Sequence, residues 1–118
     1  MTRPHPTVAW KVLTADQMDT LEHEGVFKGA PVDLADGFIH LSTEDQLAGT
    51  IGKHFAGQEN LHLVAVDLPV LGQAVKWEVS RGGALFPHIY AALPLSAVIA
   101  YGPLRYDDAG EIILPPAG

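Results

Sequence analysis

The spacing of hydrophobic and polar positions changes several times along the chain, and each change marks an element. Val8 to Leu13 is apolar and β-rich around Lys11, which predicts a first strand. Thr14-Ala15-Asp16-Gln17 then fits a capping box, so a helix is expected to about His23, with Gly25 past its end. Met18 and Leu21 are its core contacts. Residues 26–37, with Gly29, Pro31, Asp33, Asp36 and Gly37, read as loop. Phe38 to Leu41 predict a short second strand. Thr43 with Gln46 repeats the capping signal, and Glu44 and Asp45 suit the positive end of a helix. Leu47, Ile51, His54 and Phe55 then recur at spacings of three and four, which predicts a second helix that Gly57 ends.

Leu61 to Leu68 is nearly continuous in apolar residues, the mark of a central strand buried on both faces. Pro69 ends it. Ala74 to Val79 and Ala97 to Tyr101 predict further strands, and Asp107 to Gly110 a turn leading into Glu111 to Leu114. Pro115-Pro116 should fray. Two early helices followed by a run of strands predict an α+β fold, with the helices packed on a mixed, mostly antiparallel sheet. No repeat or boundary interrupts residues 1–118, so a single domain is expected. Val64, Val66, Trp77, Val98 and Phe55 are the expected inaccessible core.

Composition narrows the function. Hydrophobic residues make up 47% and charged residues 18%, a globular balance. There are no cysteines, which excludes disulfides, thiolate metal sites and a cysteine nucleophile. The formal net charge is -7, and the only arginines are Arg3, Arg81 and Arg105, so no basic footprint for nucleic acid is present. The first residues lack the apolar centre of a signal peptide. Ala91 to Gly102 is broken by Pro94 and Ser96 and is shorter than the roughly 20 residues of a membrane span. The expectation is therefore a cytoplasmic protein with a small-molecule ligand and with neither nucleic acid nor membrane as partner.

Three segments can carry chemistry. In the strand Phe38 to Leu41, Ile39 and Leu41 face the core, so Phe38, His40 and Ser42 share the opposite face beside a helix N-terminus. His40 reads equally as a functional imidazole and as a partner of a neighbouring loop. In Lys76-Trp77-Glu78-Val79, parity turns Trp77 to the core and Lys76 and Glu78 away from it. Glu78 is either a solvated surface acid, which the motif alone favours, or an acid, base or hydroxyl acceptor beside His40. Phe86-Pro87-His88-Ile89-Tyr90 crowds two rings and an imidazole around a proline. It reads as a rigid pocket wall or as a strand entrance that packs its rings inward. His5 and His23 are expected in solvent, His54 near the core and His62 in a buried strand. No His-Glu-x-x-His pattern, phosphate loop, dinucleotide fingerprint or nucleophile elbow occurs, and no metal is expected.

Taken in order, Asp36-Gly37-Phe38-Ile39-His40-Leu41-Ser42, Gln46, Lys76-Trp77-Glu78 and Phe86-Pro87-His88-Ile89-Tyr90 resemble the Domain of Unknown Function 952 family, from Trp10 to about Pro103. The family consists of small bacterial proteins, and its fold resembles the ADP-ribosyltransferase superfamily, which splits NAD. The resemblance implies a cleft with Glu78, His40 and His88 as catalytic residues. Glu78 would hold a ribose hydroxyl and stabilise an oxocarbenium-like centre. Tyr90 or Phe86 would stack on a flat ring, and Ser42 with His40 would fix ribose or amide groups. Family members carry a Tyr-His pair on the first strand, where this chain has Trp10-Lys11. Lys11 would meet a phosphate or carboxylate instead. NAD is thus the candidate substrate, and a non-catalytic binding or interaction module with the same fold is the alternative. A relation to RNA 2′-phosphotransferases is disfavoured by the acidity of the chain.

Overall fold

The computed structural model describes residues 6–115, and its elements follow most of the expected boundaries. His5, expected in solvent, and Pro116, expected to fray, lie outside the described residues. The first strand β1 spans Val8–Leu13, and helix α1 spans Ala15–Glu24. Thr14 Oγ1 accepts from the Gln17 N–H and Gln17 Oε1 accepts from the Thr14 N–H, so the box closes in both directions. Gly25 ends the helix at φ 75°, a left-handed conformation that costs glycine little. Met18 and Leu21 are buried.

Residues 26–37 are not a loop. They form a short strand β2 (Val26–Phe27) and a helix α2 (Pro31–Asp36). Pro31 sits where a missing N–H costs nothing, and Asp33 reaches back to accept from the Ala30 N–H at 2.7 Å. Six residues are too few to build a periodic apolar pattern, so the segment looked like turn chemistry alone. Gly37 leaves the helix at φ 87° and hands the chain to β3 (Ile39–His40).

Helix α3 spans Glu44–His54, and the Gln46 side chain accepts from the Thr43 N–H. Leu47 and Ile51 are buried, Phe55 is half-buried at the cap, and His54 is exposed, not near the core. The strand β4 (His62–Asp67) is followed by one helical turn, α4 (Leu68–Leu71). The later strands are β5 (Val75–Val79), β6 (Leu85–Ile89), β7 (Leu93–Pro94) and β8 (Val98–Pro103). The hairpin of β9 (Arg105–Tyr106) and β10 (Ile112–Ile113) turns where Asp107 accepts from the N–H groups of Ala109 and Glu111.

The fold is α+β, and its pairings among the described residues are all antiparallel. The expected mixed sheet is divided in two: β1-β4-β8 and β3-β6-β5, with β2-β7 and β9-β10 as ribbons. Reciprocal backbone bonds between Trp10 and Ser42, 2.7 and 2.9 Å, join the two sheets at the edges β1 and β3.

β4 is central and buried on both faces. Val64 and Val66 meet Ala9, Leu13, Met18, Leu21, Ile39 and Ile89 on one side. Leu63 and Ala65 meet Trp10, Val12, Leu47 and Ile51 on the other. Trp77, Val98 and Phe55 are only partly buried and flank these clusters, contrary to the expectation of full burial. Trp77 lies on β5, the edge of the smaller sheet, and Val98 beside a register shift between Ala65 and Val66.

Candidate functional site

The segment around Pro87, expected as either a loop or a strand entrance, is the middle strand of the smaller sheet. A proline there removes a ladder donor. The Pro87 carbonyl accepts from the Leu41 N–H at 3.0 Å, so its ring nitrogen also faces β3, which has ended one residue earlier. The missing N–H thus falls where the ladder stops.

Register places His40 opposite His88, His88 opposite Lys76, and Phe86 opposite Glu78. Directly opposed side chains share a face. Ile39, Leu41 and Ile89 are buried beneath the sheet, which leaves Phe38, His40, His88, Tyr90, Lys76 and Glu78 above it. Glu78 Oε1 lies 2.8 Å from His88 Nδ1 and accepts from the Tyr90 hydroxyl at 2.7 Å. Phe38 covers the imidazole of His88, with ring centroids 4.2 Å apart and an interplanar angle of 22°. The edge of His40 meets the same imidazole at 5.3 Å, and Lys76 Nζ stands 4.8 Å from the centre of the Tyr90 ring. A hollow of about 250 Å³ beside the cluster is lined by Lys28, Leu34, Phe38 and Tyr90 among others.

The hydrogen bonds from His88 and then Tyr90 hold the Glu78 carboxyl below the ordinary carboxylate range, and the same bond raises the Tyr90 hydroxyl. Glu78 is therefore an anion at neutral pH, with its side chain 38% exposed. Both bonds end on Oε1, so Oε2 has no hydrogen-bonding partner among the described residues. His88 is buried, and its Nε2 is likewise without a partner among them.

Of the residues singled out from sequence, Glu78, His88 and Tyr90 meet directly, and His40 adjoins them through ring contacts. Both nitrogens of His40 are engaged by α2: Nδ1 lies 2.7 Å from Asp33 and Nε2 2.9 Å from Asp36. Ser42 and Lys11 point elsewhere, whereas Phe86 shares the face of Glu78 but is covered. Ser42 does not face a cleft; it is buried, with Oγ 2.7 Å from the hydroxyl of Thr50 on α3. Phe86 is buried and offers no open stacking face. Lys11, only 7% exposed, points into the interior, where its ammonium donates to Asp33 at 3.1 Å and to the His40 carbonyl at 3.0 Å. Burial lowers its pKa, and Asp33 opposes that shift. For Asp33, burial would raise the pKa, but Lys11, His40 and the backbone donors of Ala30 and His40 outweigh it and the net direction is down. The start of α3 at Thr43 lines a separate depression with Trp10.

Sequence reasoning missed Asp33, Asp36 and the central place of Phe38. The available signal for the aspartates was Pro31 followed by Asp33, the start of a short helix; for Phe38 it was parity with His40.

Fold and site define a small antiparallel α+β protein with a Glu-His-Tyr cluster on one sheet face. The chain belongs to the family described as protein of unknown function (DUF952), whose model matches residues 12–101. It is similar to the crystal structure of protein CC0527 from Caulobacter crescentus, with 46% identity and a TM-score of 0.82 over 92% of this chain and 95% of that one. The solution structure of CC0527 gives 46% identity and a TM-score of 0.76, covering 91% of each chain. No curated protein matches. Among the described residues no helix is long and apolar enough to cross a membrane, and no cluster of three or more ligating side chains suits a metal ion.

Proposed function

We propose that the face formed by Glu78, His88, Tyr90 and Phe38 binds a nucleotide-type small molecule, with NAD as the candidate, and that its chemistry is transfer of the ADP-ribosyl type. The fold would then be a variant of the ADP-ribosyltransferase architecture. The observation that carries the reading is the partly exposed Glu78 carboxylate, ionised and fixed through Oε1 by His88 and Tyr90.

A carboxyl so acidic is a poor proton donor or base near neutral pH, where catalysis favours a pKa near the working pH. It is suited to electrostatic work. In cleavage of NAD the bond from ribose C1′ to the nicotinamide nitrogen breaks, and its electron pair leaves with nicotinamide. Positive charge develops on the ribose, and water or an acceptor hydroxyl then bonds to C1′ and loses its proton. Glu78 Oε2 accepts from a ribose hydroxyl and stabilises that charge. Tyr90 offers an exposed ring for stacking. Lys28 beside the hollow and Lys76 over Tyr90 supply charge for phosphate groups.

The second reading, a binding module without turnover, is favoured by one observation. The hollow of about 250 Å³ is smaller than the roughly 300–1,000 Å³ of most ligand clefts.

Thermal melting over a nucleotide panel, with nicotinamide release from NAD measured in parallel, tests both. A ligand at a hundred times its Kd adds about 2.7 kcal/mol of stability. A shift with release, both lost in Glu78→Gln, is the expected result. A shift without release assigns the module, and no shift with any nucleotide overturns the proposal.

A further inference from the structure

A hollow of about 850 Å³ lies away from the Glu78 face, on α3 and the β9-β10 hairpin. Its floor is apolar: Leu47, Ile51 and Leu61 are buried there, and Phe55, Leu104 and Ile112 are half-buried. Its rim is acidic. Glu44 and Asp45 stand at the start of α3, Glu59 in the loop beyond its end, and Glu111 on the hairpin. No lysine, arginine or histidine lines it among the described residues.

The one-sidedness comes from the elements themselves. Tyr106 pairs with Ile112 and turns toward the groove, so Arg105, paired with Ile113, turns away. Lys53 follows Gly52 by one residue, about 100° around α3, and is absent from the lining. Helix-end electrostatics account for Glu44 and Asp45. They do not account for Glu59 or Glu111, which belong to no helix and have no cationic partner among the described ion pairs.

We propose that this groove is a docking site for a short cationic segment of a partner protein, one in which apolar residues alternate with lysine or arginine. The acids stand at both ends of α3, a helix of 11 residues and so about 16 Å long. One small cation cannot meet both ends, whereas an extended peptide of about five residues spans them. Its apolar side chains cover Leu47, Ile51 and Phe55 while its charges meet the rim. A second copy of this chain is a poor occupant, because a two-fold interface would bring the four acids of one rim against the four of the other.

The test is fluorescence anisotropy with the full chain and a short labelled peptide alternating lysine with leucine. Saturable one-to-one binding that weakens as salt rises is expected. The double variant Glu59→Lys with Glu111→Lys should weaken it at least tenfold, and so should Ala48→Trp, which fills the groove from α3. The double variant Glu22→Lys with Glu24→Lys changes net charge equally on exposed sites of α1 and should leave binding within twofold. Equal loss in that control would show attraction to overall charge and overturn the site. Equal binding of a glutamate–leucine peptide, or no saturable binding, would also overturn it. Sedimentation showing a dimer that the groove variants dissociate would assign the face to a second copy. The inference is independent of the Glu78 reading, since no residue is shared.

Discussion

Asp33 is 1% exposed and ionised, and it meets Lys11, the ring and N–H of His40, and the N–H of Ala30. Replacing one member of a buried ion pair strands the other charge, so Asp33→Ala should cost about 3–5 kcal/mol in urea unfolding. The pH dependence has a definite sign. Asp33 titrates lower when folded than in the unfolded chain, where an aspartate lies near 3.9. Its contribution is complete above that value and is lost as pH falls through the folded pKa. Unfolding midpoints measured from pH 7 downward should therefore drop below about pH 4, and the drop attributable to this residue should vanish in Asp33→Ala. A second expectation concerns Glu78. Tyr90→Phe deletes one of its two donors, so the Glu78 carboxyl should titrate higher, toward the ordinary glutamate value, in an NMR pH series. At this scale Glu78 was legible because strand parity sorts side chains to faces, whereas His88 and Tyr90, expected on a loop or strand entrance, were joined to it by the family resemblance. Asp33 was not, because a lone aspartate beside Pro31 looks the same in a turn as in a helix start.

Elements with a long apolar period or a closed cap were legible to within a residue. β1 and α1 are examples, and Thr14→Ala should cost about 1 kcal/mol by deleting the acceptor for the Gln17 N–H. β4 was identified by its unbroken apolar run, and its place between β1 and β8 explains that run. Val66 is fully buried, so Val66→Ala should cost on the order of 1–3 kcal/mol from lost transfer energy and a cavity, read as a shift in the denaturation midpoint. Short elements were not legible. β2 has two residues and α2 has six, fewer than two full cycles of either pattern, too few to stand out from loop composition. β6 was ambiguous because a proline argues against an interior strand, and only the early end of β3 makes it tolerable there.

At the scale of the whole molecule, a net charge of -7 without a basic stripe predicts no tight, salt-sensitive complex with RNA or DNA at physiological ionic strength, which an electrophoretic shift would reveal. The site itself is also a property of the whole chain. β3 lies far in sequence from β5 and β6, yet each strand turns its apolar residues down and its polar residues up, so Glu78, His88, Tyr90 and Phe38 meet only when the smaller sheet forms. That arrangement separates two kinds of substitution which the sequence alone treated alike. Glu78 and Tyr90 stand at the open rim, and their loss removes bonds that water can replace. Glu78→Gln and Tyr90→Phe should leave stability nearly unchanged while weakening a nucleotide bound at this face. His88 is buried under Phe38, and His88→Ala opens a space there while leaving Glu78 with one donor. It should cost about 2–4 kcal/mol and weaken the ligand mainly through disorder of Glu78. His88→Gln, which keeps much of the volume and a side-chain donor, should recover most of that stability. Melting curves and nucleotide affinities for the four variants give the comparison. If Glu78→Gln destabilised the fold as much as His88→Ala, the carboxylate would be a structural hydrogen-bonding partner, and its assignment as the acting group would be withdrawn.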